Sequence, residues 1–406
     1  MSTDRVILHC DCNGFFASVE MLSRPELRHV PMAVAGDPES RHGIILAKNE
    51  LAKAYGIQTA ETIWQAKKKC PELVLVPPHH ARYHEISKLV NKIYLDYTDL
   101  VDPFGIDESF LDLTASMHLF PMTPAELADV IRARVRSEIG ITISVGVSFC
   151  RVFAKLGSEY KKPDATTEIS RENFRELVWP MPASALLFVG KKTAVALERH
   201  GIKTVGDLAA ADPLMLSRVL GEAGTMLHRY ANGGDTEPVH SYYYRERPKS
   251  IGNGMTFRRN IVGEDEVRAG VSALVDSVAA RLREENLKCT VVQVQIKDPE
   301  FAVVQRQITL KRATWLRSEI IDTAMSLIRS VGGFGKMIRA LTVTAAGLVA
   351  DDEAEEQLDI FSLADNGADK RESVEGTLHE IRRRFGKGSI RLGYYKKPDG
   401  DSEDDN

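Results

Sequence analysis

The chain has 406 residues, 43% of them hydrophobic and 27% charged, with a formal net charge of −4. That is ordinary globular composition, long enough for two to four domains, and it excludes a fibrous or wholly disordered chain. No run approaches the ~20 apolar residues of a membrane span, and MSTDRVILHC enters a strand pattern at once rather than a signal peptide, so a cytoplasmic protein is expected. RVILHC (5–10) reads as a short apolar strand ending at Asp11, and Phe15 to Leu22 opens a helix. From Gly43 to Pro78 a strand (GIILA) leads into lysine-rich helical stretches. Tyr83 to Tyr97 is helical, with Ile86, Val90, Ile93 and Tyr97 at three- and four-residue spacing. VDPFGIDESFLDLT (101–114) reads as a buried strand, followed by a helix from about Pro124 to Ile139 and the β-rich ITISVGVSF. Residues 1–168 are therefore mixed α and β in an α+β manner, with few βαβ signals.

Residues 183–238 look all-helical in short pieces, and a polar linker around 239–248 follows. In 249–350, the strands KSIGNGMTF, CTVVQVQIK, VVQRQITL and IRALTVTAAGL alternate with helices near 264–285 and 316–331, a second α+β domain. The last 56 residues are polar and charged, with 16 acidic and 9 basic side chains, and are expected to be mostly mobile. Residues 241–350 carry 17 basic and 11 acidic side chains. A basic segment before an acidic tail suggests a polyanion-binding surface and a solvated tether, although uneven charge alone is a weak indication. Cys10, Cys12, Cys70, Cys150 and Cys289 form no CxxC pair, which argues for reduced thiols and against structural zinc.

Two adjacent carboxylates, Asp107 and Glu108, interrupt the apolar run at 101–114. Successive strand residues point to opposite faces, so the pair can share an ion only if the preceding Asp102-Pro103-Phe104-Gly105 turn breaks the alternation. Asp11 ends the first strand. If strands 5–11 and 106–113 pair, three carboxylates meet at one end of a sheet, a donor set that suits Mg²⁺ shared with phosphate oxygens. Without Asp11, exposed turn residues would be the better reading.

HCDCNGFFASVE (9–20), GIDESFLDLT (105–114) and VGVSFCRVFAKLGSEYKKPDA (145–165) together resemble motifs of the Y-family, translesion DNA polymerases, most closely the bacterial DNA polymerase IV type. The resemblance continues through VGKKTAVALERHGIKTVGDLA (189–209) and KSIGNGMTF (249–257), about 350 residues in order. It implies an α+β multidomain, right-hand polymerase: a ferredoxin-like palm (1–13 and 80–168), small fingers (14–79), a helical thumb with a helix-hairpin-helix (169–238), a linker (239–248), a little finger that binds DNA (249–350) and an acidic tail (351–406). It implies template-directed, low-fidelity addition of deoxynucleotides to a primer 3′-hydroxyl, without proofreading, using two Mg²⁺ ions for which Mn²⁺ can substitute.

The resemblance assigns Asp11, Asp107 and Glu108 to the metals, with the Cys12 backbone carbonyl beside them. Phe16 matches a steric gate that rejects ribonucleotides by repulsion, with Phe15 as the confounding neighbour, since adjacent helical residues face different ways. Lys162 matches a triphosphate contact. Arg151, Lys155 and Lys162 fall on one face if a helix runs through them to Pro163. Where relatives usually carry a tyrosine and an arginine for the phosphates, this chain has Glu50 and Lys53; Lys53 can act as a point charge, and Glu50 is expected to pair with a lysine. Asn13 and Gly105 are further departures.

Gly190, Lys191 and Gly201 are expected to present backbone to a DNA phosphate, with Thr204 capping the second helix of the hairpin. Arg258, Arg259, Arg306, Lys311 and Arg312 border strands and suit a sequence-independent DNA surface, with solvated charge as the plain alternative for each. In the tail, QLDIF resembles a peptide that docks on the bacterial sliding clamp through Gln357, Leu358, Ile360 and Phe361. The expected partners are primer-template DNA, deoxynucleoside triphosphates and the clamp, with no membrane and a monomeric chain. The rival readings are a catalytically silent, clamp-docked DNA-binding factor and another two-metal nucleotidyl enzyme.

Overall fold

The structure, a computed structural model, describes residues 4–37, 43–352, 374–377, 380–381, 384–386 and 389. It divides into two compact units, Met1–Arg245 and Glu246–Asn406. The clamp-like peptide 357–361 and most of the acidic tail lie outside the described residues.

The first unit runs β1 (Ile7–Cys12), α1 (Phe15–Ser23), β2 (Met32–Ala35), β3 (Ile45–Lys48), α2 (Glu50–Ala54), α3 (Ile63–Lys69), β4 (Val74–Val76), α4 (His80–Leu95), β5 (Val101–Pro103), β6 (Glu108–Asp112), α5 (Pro124–Ile139), β7 (Ile143–Ser148), α6 (Arg151–Tyr160), β8 (Thr166–Ile169), α7 (Phe174–Val178), α8 (Lys191–Arg199), α9 (Val205–Ala210), α10 (Pro213–Leu220) and α11 (Glu222–Ala231). Its main sheet has the order β5-β6-β1-β7-β8, with β1 antiparallel to both neighbours. Strand alternation divides β1 cleanly. Leu8, Cys10 and Cys12 join a core built with α4 and α5, whereas Ile7 packs with Phe110 and Ala154 on the side of α6. Helix α5 is fixed at its start by a Thr123–Glu126 capping box and at its end by Gly140 at φ +86°.

Helix α6 crosses the sheet at unusually short range. Gly146 on β7 and Gly157 on α6 face each other, and a Cβ on Gly157 would lie 2.9 Å from the Gly146 Cα. The segment β7-α6-β8 is a βαβ unit, and β7-β8 is the one parallel pairing in a main sheet otherwise antiparallel, in keeping with the α+β expectation. The expected linker also needs correcting at its start. Val239 is buried against Ile7 and Phe110, His240 Nδ1 lies 3.2 Å from Asp102, and Tyr242 packs on the α4–α5 core, so this stretch is anchored to the first unit.

Residues 169–231 bury an apolar cluster through α7–α11 together with Phe149, Val152, Phe153 and Leu156, just before and within α6, and a small three-stranded sheet, β3-β2-β4, carries α2 and α3. The second unit is an antiparallel sheet of β9 (Ser250–Ile261), β10 (Leu287–Lys297), β11 (Val303–Thr314) and β12 (Ile338–Ala350) in the order β11-β10-β12-β9. Helices α12 (Glu264–Glu284) and α13 (Arg317–Ser330) share its apolar core. All five cysteines are buried and unpaired, as their scatter suggested.

Candidate active site

Antiparallel register sets Asp11 directly opposite Glu108 at one end of the main sheet. Asp107 precedes the first residue of β6, in the turn, and its carbonyl accepts the Cys12 amide at 2.9 Å. The Pro-Phe-Gly turn thus leaves Asp107 outside the regular strand, which begins at Glu108. His9, Asp11 and Glu108 each place a ligand atom within 4.8 Å of the others. Asp107 is not part of that set in this conformation, a correction to the expectation of three converging carboxylates. It stays electrostatically close: burial first, and then the charge of Glu108, raise its pKa.

The buried charges are balanced from α6 and the turn beyond it. Lys155 is ion-paired with Glu108. Lys162 lies 2.9 Å from Asp11 and 2.6 Å from Glu159. Burial pushes Asp11 up to about 7, with Lys162 opposing the rise. Burial would also raise Glu108, but the His9 ring and Lys155 outweigh it and hold Glu108 at about 2. For Lys162, burial alone lowers the pKa, and Asp11 and Glu159 reverse that. Carboxylates taken out of water this way demand a cation, and here lysine ammoniums stand where one would act. The two facing carboxylates of the set therefore suit a divalent cation shared with phosphate oxygens, with the His9 ring beside them.

His9 was missed by sequence reasoning, although its place two residues before Asp11 on one strand face was a usable signal. Its Nδ1 lies 2.8 Å from Ser158 Oγ, and burial lowers its pKa to about 4. Its Nε2 approaches Glu108 Oε2 at 3.2 Å, off the direction of a good hydrogen bond, and is otherwise unpartnered. Two expectations about α6 need correction. The helix ends at Tyr160, before Lys162, so Lys162 reaches Asp11 from the following turn. Arg151 points elsewhere: it donates to the Pro238 carbonyl at 2.8 Å and lies over Phe110.

Phe15 and Phe16 separate as helical geometry requires. Phe15 is 3% exposed and belongs to the core, whereas Phe16 is only partly buried and stacks on Tyr83 at 4.1 Å. Tyr83 is itself fixed by a 2.5 Å bond to the buried carboxylate of Glu20, which also holds His79 and Arg24. Lys53 is exposed and lies 3.4 Å from Glu50, the lysine pairing expected of Glu50.

Gly190 is the N-cap of α8, Gly201 takes φ +79°, and a Cβ on either would meet open space. Thr204 caps α9 in a capping box with Asp207. Lys191 is exposed at the first position of α8. On the second unit, Arg258, Arg259, Arg306, Lys311 and Arg312 lie within β9 and β11 rather than at their borders. Arg259 donates to both oxygens of Glu266, at 2.6 and 3.1 Å, and Arg312 pairs with Glu319, so each has an acidic partner on the unit's own surface. Arg306 is exposed on the edge strand.

Paired carboxylates with attendant lysines stand at the end of a mixed five-stranded sheet in a multidomain α+β fold, the architecture expected of a right-hand polymerase. Residues 10–159 match the impB/mucB/samB family and residues 248–360 its C-terminal domain. The chain is 45% identical over 389 residues to a DNA polymerase IV of Acetivibrio thermocellus, covering 96% of this chain and 97% of the relative. It is 34% identical to one of Bacillus velezensis, covering 96% and 92%. A solved Y-family DNA polymerase chimera shares the fold with a TM-score of 0.76 at 20% identity, over 85% of this chain and 99% of that one. The chain belongs to the impB/mucB/samB family, the Y-family polymerases of the DNA polymerase IV type.

Proposed function

We propose that the protein is a template-directed translesion DNA polymerase that adds deoxynucleotides to a primer 3′-hydroxyl and releases pyrophosphate. The observation that carries this reading is the register of β1 against β6, which sets Asp11 opposite Glu108 with Lys162 on one and Lys155 on the other. Asp11, Glu108 and Asp107 would hold Mg²⁺, with the Cys12 carbonyl beside them. Bound there, divalent ions supply neutralisation of the triphosphate and a lowered pKa for the attacking hydroxyl. Lys162 exchanges Asp11 for the triphosphate, and Lys53 adds a weaker point charge from the rim. Phe16, backed by Tyr83, fills the space a ribose 2′-hydroxyl would need. Gly190, Lys191 and Gly201 hold a DNA phosphate without reading sequence, and Arg258 and Arg306 add salt-dependent contacts.

Palm, fingers, thumb and little finger are assigned on the bounds given above, and Gln357, Leu358, Ile360 and Phe361 form the clamp-docking peptide of a monomeric protein. Among the described residues no helix is long and apolar enough to cross a membrane. Primer extension tests the reading. Purified protein should extend a primer with Mg²⁺, and Asp11→Asn and Glu108→Gln should abolish extension while DNA binding survives. Extension untouched by both substitutions would refute the site.

A further inference from the structure

Glu159 lies between the two lysines of the site in the chain and holds one of them. Lys162 is shared between Asp11 and Glu159, at 2.9 and 2.6 Å. Lys155 occupies Glu108, so each carboxylate of the facing pair is held by a different ammonium. Lys155 and Glu159 are four residues apart on α6, on one face of the helix. Both line a cavity of about 360 Å³, with Val152, Leu156 and Leu187 among its other walls. The Lys155 side chain thus has open space beside it and a carboxylate within helical reach. Glu159 holds Lys162 through one oxygen, which leaves room on its half-exposed carboxylate for a second ammonium that pairs more strongly once Lys162 departs.

We infer that Glu159 is a positioning residue that couples nucleotide arrival to metal entry by exchanging one lysine for the other. When a triphosphate draws Lys162 away, Asp11 and Glu159 are released together. Lys155 then swings into the cavity and pairs with Glu159, leaving Glu108 open to a divalent cation. Before that exchange Lys155 competes with the cation for the same carboxylate oxygen. The inference rests on the reading of Asp11 and Glu108 as cation ligands.

Mn²⁺ binding to the nucleotide-free, full-length protein, followed by the electron paramagnetic resonance of free Mn²⁺, tests it without reference to turnover. Lys155→Met removes the competitor and should tighten Mn²⁺ binding about fivefold, the scale of one partly buried ion pair. Lys155→Arg keeps the charge and should not tighten it. Glu159→Gln removes the alternative partner and should weaken binding in the wild-type background. In the Lys155→Met background the same change should have a markedly smaller effect, because no lysine remains to relocate. Unchanged or weaker binding by Lys155→Met, tightening by Lys155→Arg, or an equal effect of Glu159→Gln in both backgrounds would overturn the exchange; the last would mean that Glu159 acts only as a nearby charge. Matching thermal melts separate these results from misfolding. A protein that fails to extend primers yet tightens on Mn²⁺ as described would refute the polymerase reading alone. Intact extension with no tightening would refute the exchange alone.

Discussion

Gly146→Ala should damage the site without touching any residue that bears its chemistry. A Cβ built at Gly146 would sit 1.8 Å from the Ala154 carbonyl oxygen and 2.5 Å from the Ser158 amide nitrogen, both backbone atoms of α6. Carbon and oxygen in contact need about 3.3 Å, so the helix must retreat by roughly 1.5 Å. Overpacking of this kind costs about 1–3 kcal/mol, and in a unit of this size each kcal/mol lowers Tm by roughly 2–4 °C. The same retreat carries Ser158 away from its 2.8 Å contact with His9 and Lys155 away from Glu108. Misplacement by about 1 Å can reduce turnover about 100-fold, so extension should fall far more than stability does. Calorimetry and single-nucleotide extension on one preparation give both values. Wild-type Tm together with wild-type extension would show that the close approach of α6 to β7 does not govern the site.

Phe16→Ala should admit ribonucleotides while leaving Tm nearly intact; Phe15→Ala should lower stability by about 3–5 kcal/mol, read by denaturant unfolding. Glu20→Ala strands the buried Tyr83 hydroxyl and should cost about 2–4 kcal/mol. Burial alone would raise the pKa of Glu20, but Tyr83, His79 and Arg24 reverse this and hold it below 4.5. Its contribution is therefore present above the unfolded value and lost as pH falls below about 4.5, and Glu20→Gln should flatten that part of a Tm-against-pH curve. Arg306→Ala should reduce the slope of log affinity against log salt for duplex DNA by about 0.9, whereas Arg259→Ala, already paired with Glu266, should leave the slope unchanged.

Much of the architecture was legible because local patterns and tertiary demands agree. Helix α5 falls on the expected residues because a Thr-x-x-Glu box starts it and a glycine ends it, and both signals are local. The strands of the second unit were likewise visible in their β-branched runs. The site was readable in part. The apolar strand ending at Asp11, and the turn before Asp107 and Glu108, suggested that the segments pair, and the register confirms Asp11 opposite Glu108.

What the sequence settled by itself are properties set within a few residues: caps, strand alternation, the separation of Phe15 from Phe16 and the turn that frees Asp107. Only the tertiary structure decided which cation meets which carboxylate. Lys155 and Glu108 are 47 residues apart in the chain, and Arg259 and Arg306 look alike in sequence although Arg259 has a carboxylate waiting beside it. The physical reason is that charge pairing follows distance in space and loss of water, and both are fixed by how sheets and helices pack, here by the two glycines that let α6 lie against β7.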